Sequence, residues 1–289
     1  MWQRRLAWRK PGVGGNRLTP VEGFRGVAQA SVEVSPVPPG RADADRSHPL
    51  VVSAIIPTLN EAPRIADTIA AVRLAGFDEI VVVDGGSQDD TLTRAQQADC
   101  VLTCSAAAAS SQATDDPCLP GRGRGRQQNW GAVRSRGDVL CFLHADCRPA
   151  PRAAEAIRAA LADAECIGGC FVQHIEGRGW RYRLLEAGNL RRVLWFGLAY
   201  GDQGIFVRRH VFEAVGRFPP WPLMEDVELM RRLRGKGRWV VLRPPLRVSA
   251  RRWEQRGIVR QTLRNWAFLA LYAAGVSPEW LARGYPHTR

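Results

Sequence analysis

Apolar runs of four to eight residues alternate with stretches of helical periodicity along most of the chain. The runs at 50–57, 79–84 and 139–144 are bounded by polar residues, which is typical of strands buried on both faces of a parallel sheet. Apolar residues recur at helical spacing over 61–74, and Asn60 is placed to cap that helix. This alternation predicts an α/β fold with parallel strands and right-handed crossovers.

The alternation weakens beyond about residue 175, which indicates a mixed sheet. Residues 180–200 are rich in arginine and aromatic residues and predict a partly helical segment. The other predicted helices cover 89–97, 122–136, 151–163, 226–234 and 257–274, and the other predicted strands cover 100–103, 166–175, 204–209 and 238–249.

Composition divides the chain into three parts. Residues 1–48 are rich in Gly, Pro and Arg without periodicity, which predicts a disordered basic arm. Residues 49–254 carry the alternating elements and form the predicted folded domain. Residues 255–289 form a predicted basic helical segment. Within the domain, the Ala- and Ser-rich stretch at 105–121 predicts a mobile surface loop and resembles an insertion.

Charge changes the picture mainly at the C-terminal end. The 289 residues carry a net charge of +13, and from residue 227 onward 14 Lys and Arg stand against 3 Asp and Glu. Such a segment can meet nucleic acid, acidic lipid headgroups or a phosphorylated substrate. All Lys and Arg residues except Lys10 and Lys236 are arginines, a preference that a GC-rich genome explains. We therefore do not take the arginine content as a nucleic-acid signal and expect no nucleic-acid partner. The helix at 257–274 either lies on an anionic membrane or packs on the domain, and its imperfect amphipathicity favours packing.

Cysteine usage and hydropathy predict the compartment. Seven cysteines without a secretory signal indicate reducing, cytoplasmic surroundings. Cys104 and Cys118 flank the loop at 105–121 and could pair under oxidation, but we expect free thiols. The chain has no run of 18 apolar residues, so we predict no transmembrane helix. Arg4 and Arg5 are not followed by the apolar stretch of a signal peptide.

Carboxylates stand at the ends of two predicted strands. Asp84 is followed by a turn with Gly86 and Ser87, and Asp146 follows an apolar run through His144. Ligands of open α/β sheets bind at the carboxyl ends of strands, so both predict one site. Asp146 offers a hard oxygen ligand for Mg²⁺ or Mn²⁺. His144 either hydrogen-bonds a diphosphate or ribose or is a buried polar residue. The turn lacks the GxGxxG spacing, which disfavours a dinucleotide fold.

Further polar motifs have two interpretations each. Asn60 and Glu61 either cap a helix or bind a nucleotide at its N-terminus. Arg126 and Asn129 share a helix face, which either contacts phosphate and a base or ribose edge, or is solvated. The pair Arg252–Trp253 either closes over a diphosphate or covers apolar surface.

Two later segments complete the candidate chemistry. Asp202 and Gln203 lie in a Gly-flanked polar segment before a strand, which suits a loop lining a cleft. Glu225 and Asp226 are adjacent carboxylates at a helix start. They either match the helix dipole or supply a general base.

Seven short motifs occur in order: PTLNE (57–61), VVDGGSQDDT (82–91), GRQQNWGA (125–132), LHAD (143–146), YGDQG (200–204), MEDVEL (224–229) and ARRW (250–253). Together they resemble the family 2 glycosyltransferases, and among them the bacterial radical-SAM/selenodomain-associated, or arsenosugar-type, subgroup. The resemblance covers about residues 50–285. It implies a GT-A fold, in which a Rossmann-like mixed sheet is flanked by helices, with a nucleotide-binding half at 49–150 and an acceptor half at 151–254.

The resemblance also implies chemistry. These enzymes transfer a sugar from a nucleotide-sugar donor to an acceptor hydroxyl, use a divalent cation and usually invert the anomeric carbon. Asp146 would match the last Asp of the metal-binding DXD motif, and Asp226, with Glu225 beside it, would be the general base. Because His144 occupies the first DXD position, metal binding is expected to rest on Asp146 and the diphosphate. The donor contacts implied by the resemblance are Pro57, Asn60, Glu61 and Asp84 at the base and ribose, Arg126 and Asn129 in the same pocket, and Arg252 and Trp253 over the diphosphate.

Two other function classes stay open. A nucleotidyltransferase on a related fold would use the same carboxylates, but the segment after the first strand lacks the expected Gly-rich, Lys-containing loop. A non-catalytic module would hold nucleic acid or membrane through the basic segment. For a transferase, we expect a small-molecule or lipid-linked acceptor and a cytoplasmic location, with an anionic membrane surface as an alternative partner.

Overall fold

The computed structural model describes residues 32–35, 48–104 and 123–285, except for the side chains of 32–35 and of Arg252. Within these residues, nine strands form one sheet. They are β1 (Val32–Ser35), β2 (Val52–Thr58), β3 (Glu79–Asp84), β4 (Cys100–Thr103), β5 (Val139–Phe142), β6 (Cys147–Pro149), β7 (Cys166–Ile175), β8 (Ile205–Arg208) and β9 (Arg238–Val248).

The sheet is mixed, as predicted from the weaker alternation of apolar runs and helical stretches beyond about residue 175. The strand order is β1-β9-β7-β8-β5-β2-β3-β4, with β6 paired to β9. All pairs are parallel except those made by β8 and β6. The β7–β9 pairing shifts register where β9 carries Pro244 and Pro245, because proline has no N–H to donate to the ladder.

Helices cover the sheet and extend beyond it at the C-terminal end. Short 3₁₀ turns at Ala95–Gln97 and Gly201–Gln203 supplement them. The α-helices are α1 (Ile65–Leu74), α2 (Thr91–Arg94), α3 (Arg124–Arg134), α4 (Ala153–Ala160), α5 (Trp180–Phe196), α6 (Arg209–Ala214), α7 (Glu225–Leu233), α8 (Arg251–Arg256), α9 (Ile258–Ala273) and α10 (Pro278–Arg283).

Two large hydrophobic clusters form most of the core, and a small third one surrounds Val81 and Val83. Ile55 and Ile56 are consecutive in β2, so their side chains point to opposite sides of the sheet and join different clusters. The cluster around Ile56 is completed by α1 and α4, and the cluster around Ile55 by α3, α5, α6 and α7. Phe268 and Tyr272 of α9 pack against the second cluster, which confirms the predicted packing of this helix on the domain.

Most predicted elements are present, with three corrections. Residues 32–35 pair with β9, so the expectation of a disordered arm is wrong for these four residues. The predicted helix at 61–74 begins only at Ile65. Asn60 does not cap it, since the N-cap position is Arg64 and the Asn60 side chain instead accepts a hydrogen bond from Gln88 N.

Other expectations concern thiols and membranes. None of the six cysteines in the described part of the chain forms a disulfide with another of them. Cys118 and the predicted loop at 105–121 lie outside the described residues, as does most of the predicted arm at 1–48. Where the structure describes the chain, it contains no helix with the length and hydropathy needed to cross a bilayer.

Candidate functional site

The carboxyl ends of β2, β3 and β5 meet at one edge of the sheet, as predicted, because the three strands are parallel neighbours. Thr58 at the end of β2 lies opposite Asp84 at the end of β3. His144 and Asp146 follow the end of β5 and are half-buried. Pro57 is buried inside β2, one residue before the end of the strand, and its contact with the donor stays a prediction.

Asp84 organises the loop after β3. Its carboxylate is fully buried and accepts hydrogen bonds from the backbone N–H groups of Gly86 and Ser87, each at 2.8 Å, and from the Ser87 hydroxyl. The Asn60 N–H donates to Ser87 Oγ at 2.8 Å, and Gln88 N donates to Asn60 Oδ1 at 2.9 Å. The loops after β2 and β3 are therefore joined. Asp84 shapes this surface, and its contact with the nucleotide stays a prediction.

Gln127, which the sequence reasoning did not single out, fastens the same edge from α3. Its Nε2 donates to Thr58 O at 3.0 Å and to Val83 O at 2.7 Å. The helix comes close because Gly131 has no side chain, and a Cβ there would lie 2.6 Å from Ile55 Cγ2. The only signal in the sequence was the position of Gln127 in the GRQQN motif.

Two predicted donor contacts are instead structural. Asn129 is fully buried, and its amide exchanges two hydrogen bonds with the backbone of Phe218, at 2.8 and 3.1 Å. Gln203 is 1% exposed, and its Oε1 accepts from Arg192 Nη2 at 2.6 Å and from Tyr200 N at 3.1 Å. Neither side chain reaches an open surface, so the predictions that they contact the nucleotide sugar are corrected.

Asp226 lies at the start of α7 and lines a wide, open cleft, called the large cleft below. Its Oδ2 accepts a hydrogen bond from Gly201 N at 2.9 Å. Gly201 also touches the other side of the site, because a Cβ at this position would lie 2.6 Å from His144 Nε2. Asp226 and His144 therefore face each other across a single backbone segment.

Glu225 points away from this cleft. It is 2% exposed, and its Oε1 pairs with Arg124 Nε at 2.9 Å. Burial raises the pKa of Glu225, Arg124 works against that rise, and the neighbouring Asp226 charge adds to it. In return, the Glu225 carboxylate raises the pKa of Arg124, a residue that lines the cleft. Glu225 thus holds Arg124 in position. Its carboxylate is directed towards Arg124 and does not lie beside the Asp226 carboxylate in the cleft, where it was expected.

A divalent cation has a suitable donor set at the end of β5. His144, Asp146 and Cys147 offer an imidazole nitrogen, a carboxylate oxygen and a sulfur that lie within 4.8 Å of one another. Asp202 lines the adjoining cleft together with His144 and Asp146. Carboxylate ligands suit Mn²⁺ and Mg²⁺, so Asp146 fits the predicted ion, with the His144 imidazole beside it. A buried thiol was not foreseen in this set.

The C-terminal segment closes the site. Asn265 and Phe268 of α9 and Tyr285 line the large cleft, while Asn265 also lines the adjoining one. Sequence reasoning missed these residues, as it missed Arg124. Their only signal was the periodicity that predicted α9, which does not show where the helix docks.

The family assignment follows from the sequence match. Residues 53–216, more than half of the chain, match the family described as Glycosyl transferase family 2. The chain belongs to this family. The resemblance inferred from the seven motifs is thereby confirmed at the level of the family. No curated protein is significantly similar to the chain.

Solved structures place this family 2 protein among the GT-A folds. The mannosyltransferase PcManGT from Pyrobaculum calidifontis, in complex with GDP-Man and Mn²⁺, is 15% identical, with a TM-score of 0.55 over 85% of this chain and 75% of that chain. Glucosyl-3-phosphoglycerate synthase from Mycobacterium tuberculosis, in complex with Mn²⁺, UDP and glucosyl-3-phosphoglycerate, is 19% identical, with a TM-score of 0.53 over 79% of this chain and 81% of that chain. The predicted GT-A fold is confirmed.

The remaining predicted residues of this family 2 protein surround the same edge. Trp253 of α8 lines the cleft that holds Asp146 and Asp202. Glu61 is tied to α8, since Arg251 Nη2 lies 3.6 Å from its Oε1. Arg126 is half-buried on α3, and the side chain of Arg252 lies outside the described part of the chain.

Proposed function

We propose that this family 2 protein transfers a sugar from a nucleotide-sugar donor to an acceptor hydroxyl, with Asp226 as the general base. The observation that carries the proposal is the position of Asp226. It lines an open cleft, is held by Gly201 N, and shares that cleft with His144 and Asp202. A carboxylate held at the wall of a cleft is placed to take a proton from a bound hydroxyl group.

The donor is proposed to lie along the edge formed by β2, β3 and β5. Asn60 is exposed, and Glu61, Arg126 and Ser87 are half-buried, so each is accessible from this surface. The loops that carry Asn60 and Ser87 are fixed to each other by two hydrogen bonds. Such a preformed surface suits a nucleotide, because little conformational entropy is lost on binding. Trp253 is placed at the adjoining cleft to cover the diphosphate.

A divalent cation is proposed at Asp146, with His144 beside it. When bound, the ion would neutralise the charge that develops on the departing nucleoside diphosphate. Because an imidazole replaces the expected first carboxylate, Mn²⁺, which accepts nitrogen ligands, is expected to bind better than Mg²⁺. The metal-bound state of the two solved structures described above agrees with this assignment.

The chain's own residues then carry the proton and position the reactants. Asp226 takes the proton of the acceptor hydroxyl group, while the oxygen of that hydroxyl group bonds to the anomeric carbon. The bond from that carbon to the diphosphate oxygen breaks, and the nucleoside diphosphate leaves. Attack from the side opposite the leaving group inverts the anomeric configuration. Arg124, held by Glu225, adds positive charge to the same wall.

The acceptor is proposed to occupy the large cleft. Its wall combines the polar Asn265 with the aromatic side chains of Phe268 and Tyr285, a lining that suits a small molecule or the head of a lipid-linked molecule. The arsenosugar-type bacterial subgroup and a cytoplasmic location belong to this proposal.

The experiment begins with the donor. A thermal-shift screen of nucleoside diphosphates and their sugars, with Mn²⁺ or Mg²⁺, identifies the ligand that stabilises the native state. We expect Asp146→Ala to lose the metal-dependent part of that shift. We expect Asp226→Asn to keep the shift and to lower transfer to a panel of acceptors by about 10²–10⁴-fold. The matched control is Asp90→Asn, which makes the same change from carboxylate to carboxamide at an exposed residue. Normal turnover in Asp226→Asn would overturn the assignment.

A further inference from the structure

Helix α9 is partly polar on the face towards the domain and apolar on the face towards solvent, which is unexpected for a helix packed on a domain. The face towards the domain carries the polar Gln261 and Asn265 beside Phe268 and Tyr272. The opposite face carries large apolar side chains that are exposed to solvent. This outer stripe consists of Val259, Leu263, Trp266 and Leu271, which are 67%, 64%, 54% and 39% exposed.

The outer stripe is centred on Val259, Leu263 and Trp266. These three are spaced by four and three residues, which keeps them on one side of the α-helix. Leu271, five residues after Trp266, lies about 140° further round the helix, at the margin of the stripe, and the exposed Ala267 and Ala270 fill the positions between. Trp280 of α10 is a further large aromatic side chain at the C-terminal end, 58% exposed. Apolar side chains aligned over about two helical turns mark an interaction surface rather than the scattered exposure of ordinary surfaces.

Positive charge accompanies the stripe. Arg260 is exposed next to Val259, and Arg256 is half-buried one turn earlier. The sequence of α9, IVRQTLRNWAFLALYA, contains no acidic residue. Arginine beside an apolar stripe that contains tryptophan is the composition of helices that lie in the headgroup region of anionic bilayers.

We propose that the outer stripe of α9 docks on the surface of an anionic membrane. The apolar side chains would enter the boundary between headgroups and acyl chains, and Arg256 and Arg260 would meet lipid phosphates. Charge favours this occupant over a second copy of the chain. A symmetric contact through the stripe would bring the arginines of two strongly basic molecules towards each other.

Docking would also affect the site. The inner face of the same helix supplies Asn265 and Phe268 to the large cleft, so the cleft would lie about one helix diameter, roughly 10 Å, from the bilayer. This consequence rests on the proposed function, whereas the docking itself does not.

Flotation of the full-length protein with vesicles tests the docking. We expect binding to phosphatidylcholine vesicles that contain a quarter phosphatidylglycerol, weaker binding to pure phosphatidylcholine, and a decrease on raising the salt concentration. The double variant Leu263→Ser/Trp266→Ser should lose at least ten-fold in partition. Its matched control is Leu74→Ser, which changes an equally exposed leucine of α1. Arg260→Glu should weaken binding more than Arg94→Glu, which makes the same charge change on α2.

Each outcome decides the proposal. Circular dichroism verifies the fold of every variant, and the exposure of the substituted side chains makes unfolding unexpected. Failure of the native protein to float with the anionic vesicles, or equal losses in variants and controls, overturns the docking. A dimer that sedimentation detects and that the double variant breaks, in a protein that does not float, would assign the stripe to self-association. That result would also overturn the docking. Asp226→Asn should float like the native protein, so a wrong catalytic assignment leaves this test unaffected.

Discussion

Two regions of the proposed site differ in what holds them. The region proposed for the donor, the donor-side wall, is formed by the loops after β2 and β3 and by Gln127 of α3. Side chains within the short motifs hold it through hydrogen bonds to backbone groups, such as those that Asp84 accepts from Gly86 and Ser87. The region proposed for the acceptor, the acceptor-side wall, is formed by Arg124, α7, the turn at 201–203 and the segment 258–285, and side chains outside the motifs, such as Tyr272, fasten it. The comparison teaches that short motifs report on the first wall and say little about the second.

The fastening of the acceptor-side wall illustrates the difference. The Tyr272 hydroxyl of α9 donates to Glu228 Oε2 of α7 at 3.0 Å, across 44 positions of sequence. The Phe268 and Tyr285 rings meet edge to face with their centroids 5.5 Å apart. Because these contacts join separate helices, the wall can shift as a unit more readily than the hydrogen-bonded loops of the donor side.

The largest effect is expected from breaking the buried pair on the acceptor side. Arg124→Met leaves the Glu225 carboxylate buried without its cation, which should cost about 3–5 kcal/mol of the free energy of unfolding at neutral pH. The exposed Arg94→Met should cost less than about 0.5 kcal/mol. Urea unfolding of both variants measures the two values. Equal losses would show that the pair does not hold this wall.

The same variant has a definite pH dependence. Burial raises the pKa of Glu225, and removing Arg124 removes the opposing influence. The folded state then binds a proton that the unfolded state releases near its ordinary pKa of 4.5. The stability contributed by the protonated form is complete below that pH and is lost as the pH rises through the raised pKa. Arg124→Met should therefore lose stability more steeply than the native protein from pH 5 to pH 8, as measured by thermal unfolding.

An intermediate effect is expected on the donor side. Gln127→Ala leaves Thr58 O and Val83 O without their common donor and should cost about 2 kcal/mol. Because both loops that carry predicted nucleotide contacts start there, the thermal shift produced by the donor should also shrink. The control, Gln96→Ala, removes an exposed glutamine on the surface. If the donor produces a normal thermal shift in Gln127→Ala, the hydrogen bonds of Gln127 at this edge are not needed for nucleotide binding.

The smallest effect is expected from Tyr272→Phe. It removes one hydrogen bond to Glu228, and Arg231 and Arg232 continue to satisfy that carboxylate. The expected loss is about 1 kcal/mol. If α9 moves as a unit, this variant should alter acceptor KM more than donor KM. A larger change in donor KM than in acceptor KM would contradict the division into two walls.

Particular residues show what the sequence could and could not reveal. The apolar runs located β7 at 166–175, and motif order placed Asp226 and Asp146 at one site. Asn129 carries the same amide whether it binds a ligand or the backbone of Phe218, so its burial could not be read from local pattern. β1 is only four residues long and owes its structure to pairing with β9. Arg124, Asn265 and Tyr285 reach the cleft only through tertiary packing.

Gly201 sets a limit on how this protein can be redesigned. A methyl group there would collide with His144 Nε2, at 2.6 Å, and would touch Asp226 Oδ2, at 3.6 Å, so the glycine keeps the spacing between the proposed metal-binding group and the proposed base. Randomised libraries that aim at new acceptors should leave it unchanged. Phe268 and Tyr285, which line the opposite wall, are the better positions for variation, because their replacement alters the shape of the cleft without changing that spacing.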